Sequence, residues 1–223
     1  MVPSTRGDAW QWLASSRNSS EDSAIRSHRR IIIAHHLIFT GYGFWLPNDP
    51  RGSGSTEIRS DPLEPLGPIL PGRQPVQPLR DELRAFYRRA NPKLTHDPIW
   101  FDEALRDVIT SAFATAVRDF RYTCYACSVC SNHAHLVIRR HRDDGDTIWD
   151  SFAGRAKQAL LALPGVAEDH PVWANRPYVV FLYTPGDVRH RVGYVNGNPM
   201  KEGLPHQSHP FVTAYDGWPF RGR

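Results

Sequence analysis

Apolar residues recur along this chain with two different periods, and their alternation lays out an order of elements. Residues 30–40, RIIIAHHLIFT, form an Ile-rich run of strand length. Residues 101–119 have helical spacing, with Leu105, Val108, Ile109, Ala112, Phe113 and Ala116 on one face. Residues 121–130, RYTCYACSVC, read as a strand, and after a tight Ser-Asn turn a second strand follows at 133–140, HAHLVIRR. Residues 147–163 are helical and end near Pro164-Gly165. Residues 177–184, PYVVFLYT, form another strand, and a last helix runs from Pro185 to about Asn198. This order predicts an α+β fold. It is the ferredoxin-like split β-α-β, with an antiparallel-rich sheet, helices 101–119 and 147–163 on one face, and a C-terminal helix added.

Two stretches fall outside that pattern. Residues 1–28 are rich in Ser, Arg and Asp without a steady apolar period, which predicts a disordered tail. Residues 41–100 are dense in Gly, Pro, Asn and Asp, with one helical segment at 79–90, and read as an insertion. The expected organisation is thus a tail and a single domain over 29–223 that carries this insertion. The N-terminus lacks the charged-then-apolar layout of a secretion signal, and no apolar run approaches membrane-spanning length. Both points predict a cytoplasmic protein with no membrane partner.

Composition adds little and restrains much. Hydrophobic residues make up 40% of the chain, enough for a real core. The net charge of +4 permits a nucleic-acid partner without requiring one. Cys124, Cys127 and Cys130 have a spacing known from metal and iron–sulfur sites. On a regular strand, however, Cys127 points away from Cys124 and Cys130, so the expectation is three reduced, buried, structural cysteines rather than a zinc centre.

His133 and His135 sit two apart at the head of a strand, so alternation puts both imidazoles on one face. Such a pair is half of a divalent-metal site, or simply two histidines beside a turn. The last helix opens on Thr184-Pro185-Gly186-Asp187, a strong start signal. Val188, Val192 and Val195 form its core-facing stripe. Tyr194 and Asn198, four residues apart, share the neighbouring face. Pro199 is expected to stop the helix directly after Asn198. Alone, Tyr194 is a packing tyrosine and Asn198 a helix-end residue.

Taken together, HHLIFT, GYGFWLPNDPRGS, SNHAHLVIRR, GYVNGNPMKEGLP and WPF resemble, over about residues 30–220 and in the same order, the single-tyrosine HUH transposases of bacterial insertion sequences. The branch of REP-associated tyrosine transposases is the most similar. The resemblance implies that His133, His135 and Asn198 hold Mg²⁺ or Mn²⁺, and that Tyr194 attacks a phosphate of single-stranded or hairpin DNA. That attack leaves a 5′-phosphotyrosine and a free 3′-hydroxyl, resealed later by the reverse attack. It also implies either a monomer or a homodimer, with the tyrosine helix serving its own or a partner subunit. Ser131 and Ala134 depart from the family's usual proline and valine, but neither change removes a ligand. A domesticated hairpin-DNA binder without catalysis is the alternative; replication initiators and plasmid relaxases fit the NP-x-K-x-G segment less well.

DNA binding needs cations and stacking surfaces. Arg139, Arg140 and Arg142, with His141, continue the histidine strand and are candidates to hold phosphates near the metal, or are simply a solvated strand end. Arg51 and Lys201 are further candidate cations. Tyr42 and Trp45 are candidate stacking residues, though their glycine-rich surroundings equally suit rings that pin the loop.

Overall fold

Four strands form one antiparallel sheet: β1 (Ala34–Thr40), β2 (Cys124–Val129), β3 (His133–Arg139) and β4 (Tyr178–Leu182), in the spatial order β2-β3-β1-β4. The computed structural model describes residues 31–55, 61–174 and 178–220, so the segment expected as a tail lies outside the described residues. These residues fall into two compact units, one of residues 31–42 and 99–220, the other of residues 43–98.

The first unit is the split β-α-β fold. Helix α1 belongs to the second unit and spans Arg80–Ala90. Helices α2 (Glu103–Phe120) and α3 (Gly145–Leu161) form the crossovers, and α4 (Pro185–Lys201) follows β4. Asp102 caps α2 by accepting from the Leu105 amide at 2.9 Å. Asp144 caps α3 by accepting from the Thr147 amide at 2.8 Å, so α3 starts two residues before the periodic pattern does. Thr184 and Asp187 form a reciprocal capping box at the start of α4.

Helices α2 and α3 cover one face of the sheet. There Leu37, Phe39, Ala134, Leu136 and Ile138 pack with Ile109, Phe113, Ile148 and Phe152. Helix α4 packs on the opposite face, where Ala34, Val137 and Leu182 meet Val188 and Val195. Alternation along β3 then puts His133 and His135 on the α4 face, because Val137 is there and Ala134, Leu136 and Ile138 are not. Among the described residues no helix is long and apolar enough to cross a membrane.

Two local expectations are corrected. The helix does not stop at Asn198 but continues through Pro199 to Lys201. A proline in the last turn removes only its own N–H bond, and the amides of Gly203 and Leu204 still close onto Met200 and Pro199. Cys124 and Cys127 do not alternate as a regular strand requires. The pairing jumps from Cys124↔Ile138 to Ala126↔Val137, leaving Tyr125 as the extra residue of a β-bulge. Tyr125 and Ala126 therefore both lie on the α4 face, while Cys124 and Cys127 share the other core.

The second unit has its own small core of Leu46, Leu63, Phe86 and Ala90, with α1 supplying the last two. Asp49 is fully buried there, and Arg51 pairs with it at 2.7 Å.

Candidate active site

His133 and His135 bring two imidazoles side by side on the α4 face, with ring centroids 5.0 Å apart. Both rings are buried. Asn198, one turn beyond Tyr194, reaches His133: its amide Nδ2 lies 2.9 Å from His133 Nε2. The Tyr194 ring stands 5.6 Å from that of His135 and 5.9 Å from that of His36. The Lys201 ammonium lies 4.8 Å from the centroid of the Tyr194 ring. The fold thus brings together His133, His135, Asn198, Tyr194 and Lys201.

The outer nitrogens of both imidazoles are held from behind. His133 Nδ1 lies 2.8 Å from Asn132 Oδ1 and 3.6 Å from Glu202 Oε1, two acceptors that place the ring proton on Nδ1. In the neutral ring Nε2 then carries the lone pair, facing the Asn198 amide. His135 Nδ1 shares a 3.1 Å hydrogen bond with His36 Nε2. Its Nε2 is buried and has no hydrogen-bond partner among the described residues. Histidines that bind cations are oriented this way by a second group on the far nitrogen.

Burial sets the charge states. It lowers His36 to about 3, and with His133, His36, Arg191 and Lys201 nearby it holds His135 well below the usual histidine range. His36 and His135 are accordingly neutral at physiological pH, the form that can ligate. Burial pushes the Tyr194 phenol up to about 12, while Arg191 pulls it down and Cys130 and Glu202 raise it further.

Two donor sets share His133. One uses Nε2 of His133, Nε2 of His135 and the Asn198 side chain. The other is Cys130, His133 and Glu202, whose ligand atoms lie within 4.8 Å of one another. The first fits a cation better. Burial and the Glu202 carboxylate raise the Cys130 thiol, whereas metal binding needs a thiolate. Only the first set also accounts for the orphaned His135 Nε2. A cation there needs the Asn198 oxygen, which a half-turn of the amide provides.

Sequence reading does not single out His36, Asn132 or Glu202. A signal for the last is present: Tyr194, Asn198 and Glu202 are spaced by four and share one helical stripe. Glu202 also accepts from the Ser131 amide, tying the β2–β3 turn to the end of α4.

The expected DNA-contacting arginines are placed elsewhere. Arg139 lies six residues along β3 from His133, roughly 20 Å at strand rise, so Arg139, Arg140 and Arg142 are at the far end of the strand and not beside the histidines. The reason is that an extended chain moves away from its starting point at every residue. Arg51 is held within the second unit, where it pairs with Asp49, bonds to the Tyr87 hydroxyl and stacks on Trp45 at 4.5 Å; buried Asp49 requires that countercharge. Tyr42 stands edge-on to His170 at 5.4 Å, in the first unit.

No protein-family profile matches the chain, and no curated protein does. Among solved structures, a REP-associated tyrosine transposase bound to a REP hairpin is similar to it. The two share 15% identity over 88% of this chain and 96% of that one, with a TM-score of 0.43.

Proposed function

We propose that this chain is a metal-dependent DNA strand transferase of the HUH type, with Tyr194 as nucleophile and a single-stranded or hairpin DNA as substrate. The observation that carries the reading is the meeting of β3 and α4: two oriented histidines, an amide and a phenol converge on one buried face. A structural histidine pair needs neither a vacant Nε2 nor a tyrosine beside it.

His133, His135 and Asn198 would hold Mn²⁺ or Mg²⁺, and imidazole and amide donors suit Mn²⁺ better. When bound, the ion supplies charge neutralisation at the scissile phosphate. The chain's own residues do the rest. His36, Asn132 and Glu202 fix the two ligand rings. Arg191 opposes the burial that keeps the Tyr194 phenol protonated, and Lys201 adds positive charge over the ring. The Tyr194 oxygen forms a bond to phosphorus and loses its proton, while the bond from phosphorus to the 3′-oxygen breaks and that oxygen leaves as a hydroxyl after taking up a proton. The phosphotyrosine conserves the ester, so the reverse attack reseals a strand without an energy source.

The test is incubation with hairpin DNA labelled on the 3′ side of the cut, with Mn²⁺. The expected result is a covalent adduct whose tryptic peptide carries the nucleotide on Tyr194. Tight hairpin binding without any adduct, under every divalent metal, would replace this reading with a non-catalytic DNA binder.

A further inference from the structure

We infer that the first unit carries a second nucleic-acid site, a cleft for the phosphodiester backbone at the end of the sheet far from the histidines. It rests on the nucleic-acid reading above and extends it to a part of the molecule that chemistry at Tyr194 does not use. The cleft is lined by Asp119, Phe120 and Arg121 from the end of α2, by Arg140, His141 and Arg142 beyond β3, and by Trp218 from the C-terminal segment.

Its charge balance favours an anion. Asp119 is shared by Arg118 and Arg155, each at 3.1 Å. Asp143 holds His141 at 3.1 Å and faces Arg142 at 3.6 Å. Arg121 and Arg140 have no carboxylate within ion-pair distance among the described residues, and both are exposed. Cations gathered in a cleft without their own counter-ions are the electrostatic footprint of a phosphate-bearing partner.

Arg121 gives an independent sign. It ends α2 in the left-handed region, with φ +59°, where a side chain costs energy and glycine is the usual occupant. Arg121 occupies this strained position and lines the cleft. Trp218 supplies a fixed wall, its half-buried ring packed against the core on the α4 face. The Arg139 guanidinium stacks 3.9 Å from the Trp218 ring centroid, and Trp218 is fixed by backbone bonds to Asp216 and Tyr215. The arginines around that wall form a positively charged groove of the kind that tracks a backbone. At about 20 Å from His133, the cleft lies about six base-pair steps from the chemistry. It would therefore grip DNA flanking the cut and not the scissile phosphate.

The experiment uses the full chain, hairpin DNA and EDTA, so that no strand is cut, and measures affinity over a range of salt concentrations. Arg121→Gly and Arg140→Gln are combined. The expected result is an affinity at least about tenfold weaker at low salt, and a slope of log K against log salt shallower by about 2, one for each lost phosphate contact. Arg121→Gly alone should raise the melting temperature, since glycine relieves the left-handed strain, so weakened binding cannot be put down to misfolding. An unchanged slope in a protein that binds DNA overturns the cleft and leaves the Tyr194 reading intact. A shallower slope in a protein that never forms an adduct supports the cleft and removes the enzyme reading. No affinity of the wild-type chain for DNA overturns both.

Discussion

His36 shows how much of this site hangs on groups that touch no substrate. Its Nε2 fixes the ring of His135, and loss of such an outer partner typically weakens metal binding 10–100-fold. His36→Leu should therefore lower Mn²⁺ affinity by that range, read by the EPR signal of free Mn²⁺, while the far-ultraviolet spectrum stays native; an unchanged affinity would show that the histidine is only packing. In the sequence His36 is one of two adjacent histidines, and nothing local says which of them faces His135. The register does: His36 lies opposite Val137, on the same face. His35 points the other way, packs against Phe181 and is held below the usual histidine value of 6.5, chiefly by burial. The unfolded chain therefore binds a proton at His35 before the folded one does. Its contribution to stability is complete above about pH 6.5 and is lost as pH falls through the lower, folded value. Urea unfolding at pH 8 and pH 5 should show this loss, and His35→Phe should flatten it. Equal slopes in the two proteins would contradict the assignment.

Helix α3 illustrates what an element's pattern does and does not disclose. Its apolar face was legible, but its true start at Gly145 was not, since glycine rarely opens a helix. The reason is tertiary. A Cβ on Gly145 would lie 2.6 Å from Val179 Cγ1 and 3.2 Å from His35 Cδ2, so the helix enters hard against β1 and β4. Gly145→Ala should cost about 1–3 kcal/mol by overpacking, in spite of alanine's better helix propensity, as measured by chemical denaturation. A stabilised variant would mean that the approach is not tight. The same contrast runs through the other elements. Period-two alternation placed His133 and His135 on one face, but it failed between Cys124 and Cys127 because a bulge answers to the pairing partner and leaves no local mark. Pro199 looked like a stop because the rule counts one lost hydrogen bond, whereas the last turn was closed by amides further on. The cleft residues Arg121 and Trp218 lie 97 positions apart (218 − 121) and could not be joined by any spacing rule.

For the molecule as a whole, a cation bridging β3 and α4 would link the sheet to helix α4 on its far face. Mn²⁺ at about a hundred times its dissociation constant should add about 2.7 kcal/mol, which for a chain of this size raises the melting temperature by roughly 5–10 °C. His135→Ala should abolish that rise. Cys130→Ser should leave it intact, unless the Cys130, His133 and Glu202 set is the true site. The central claim concerns the tyrosine. Tyr194→Phe removes one hydroxyl and keeps the ring against His36 and His135. Wild type and Tyr194→Phe are to be compared on the same labelled hairpin DNA with Mn²⁺, at concentrations where both are saturated. The account predicts strand cleavage by the wild type and none by the variant, with hairpin affinity retained by both. Cleavage that persists in Tyr194→Phe would contradict it, because the nucleophile would then be another side chain or a water molecule.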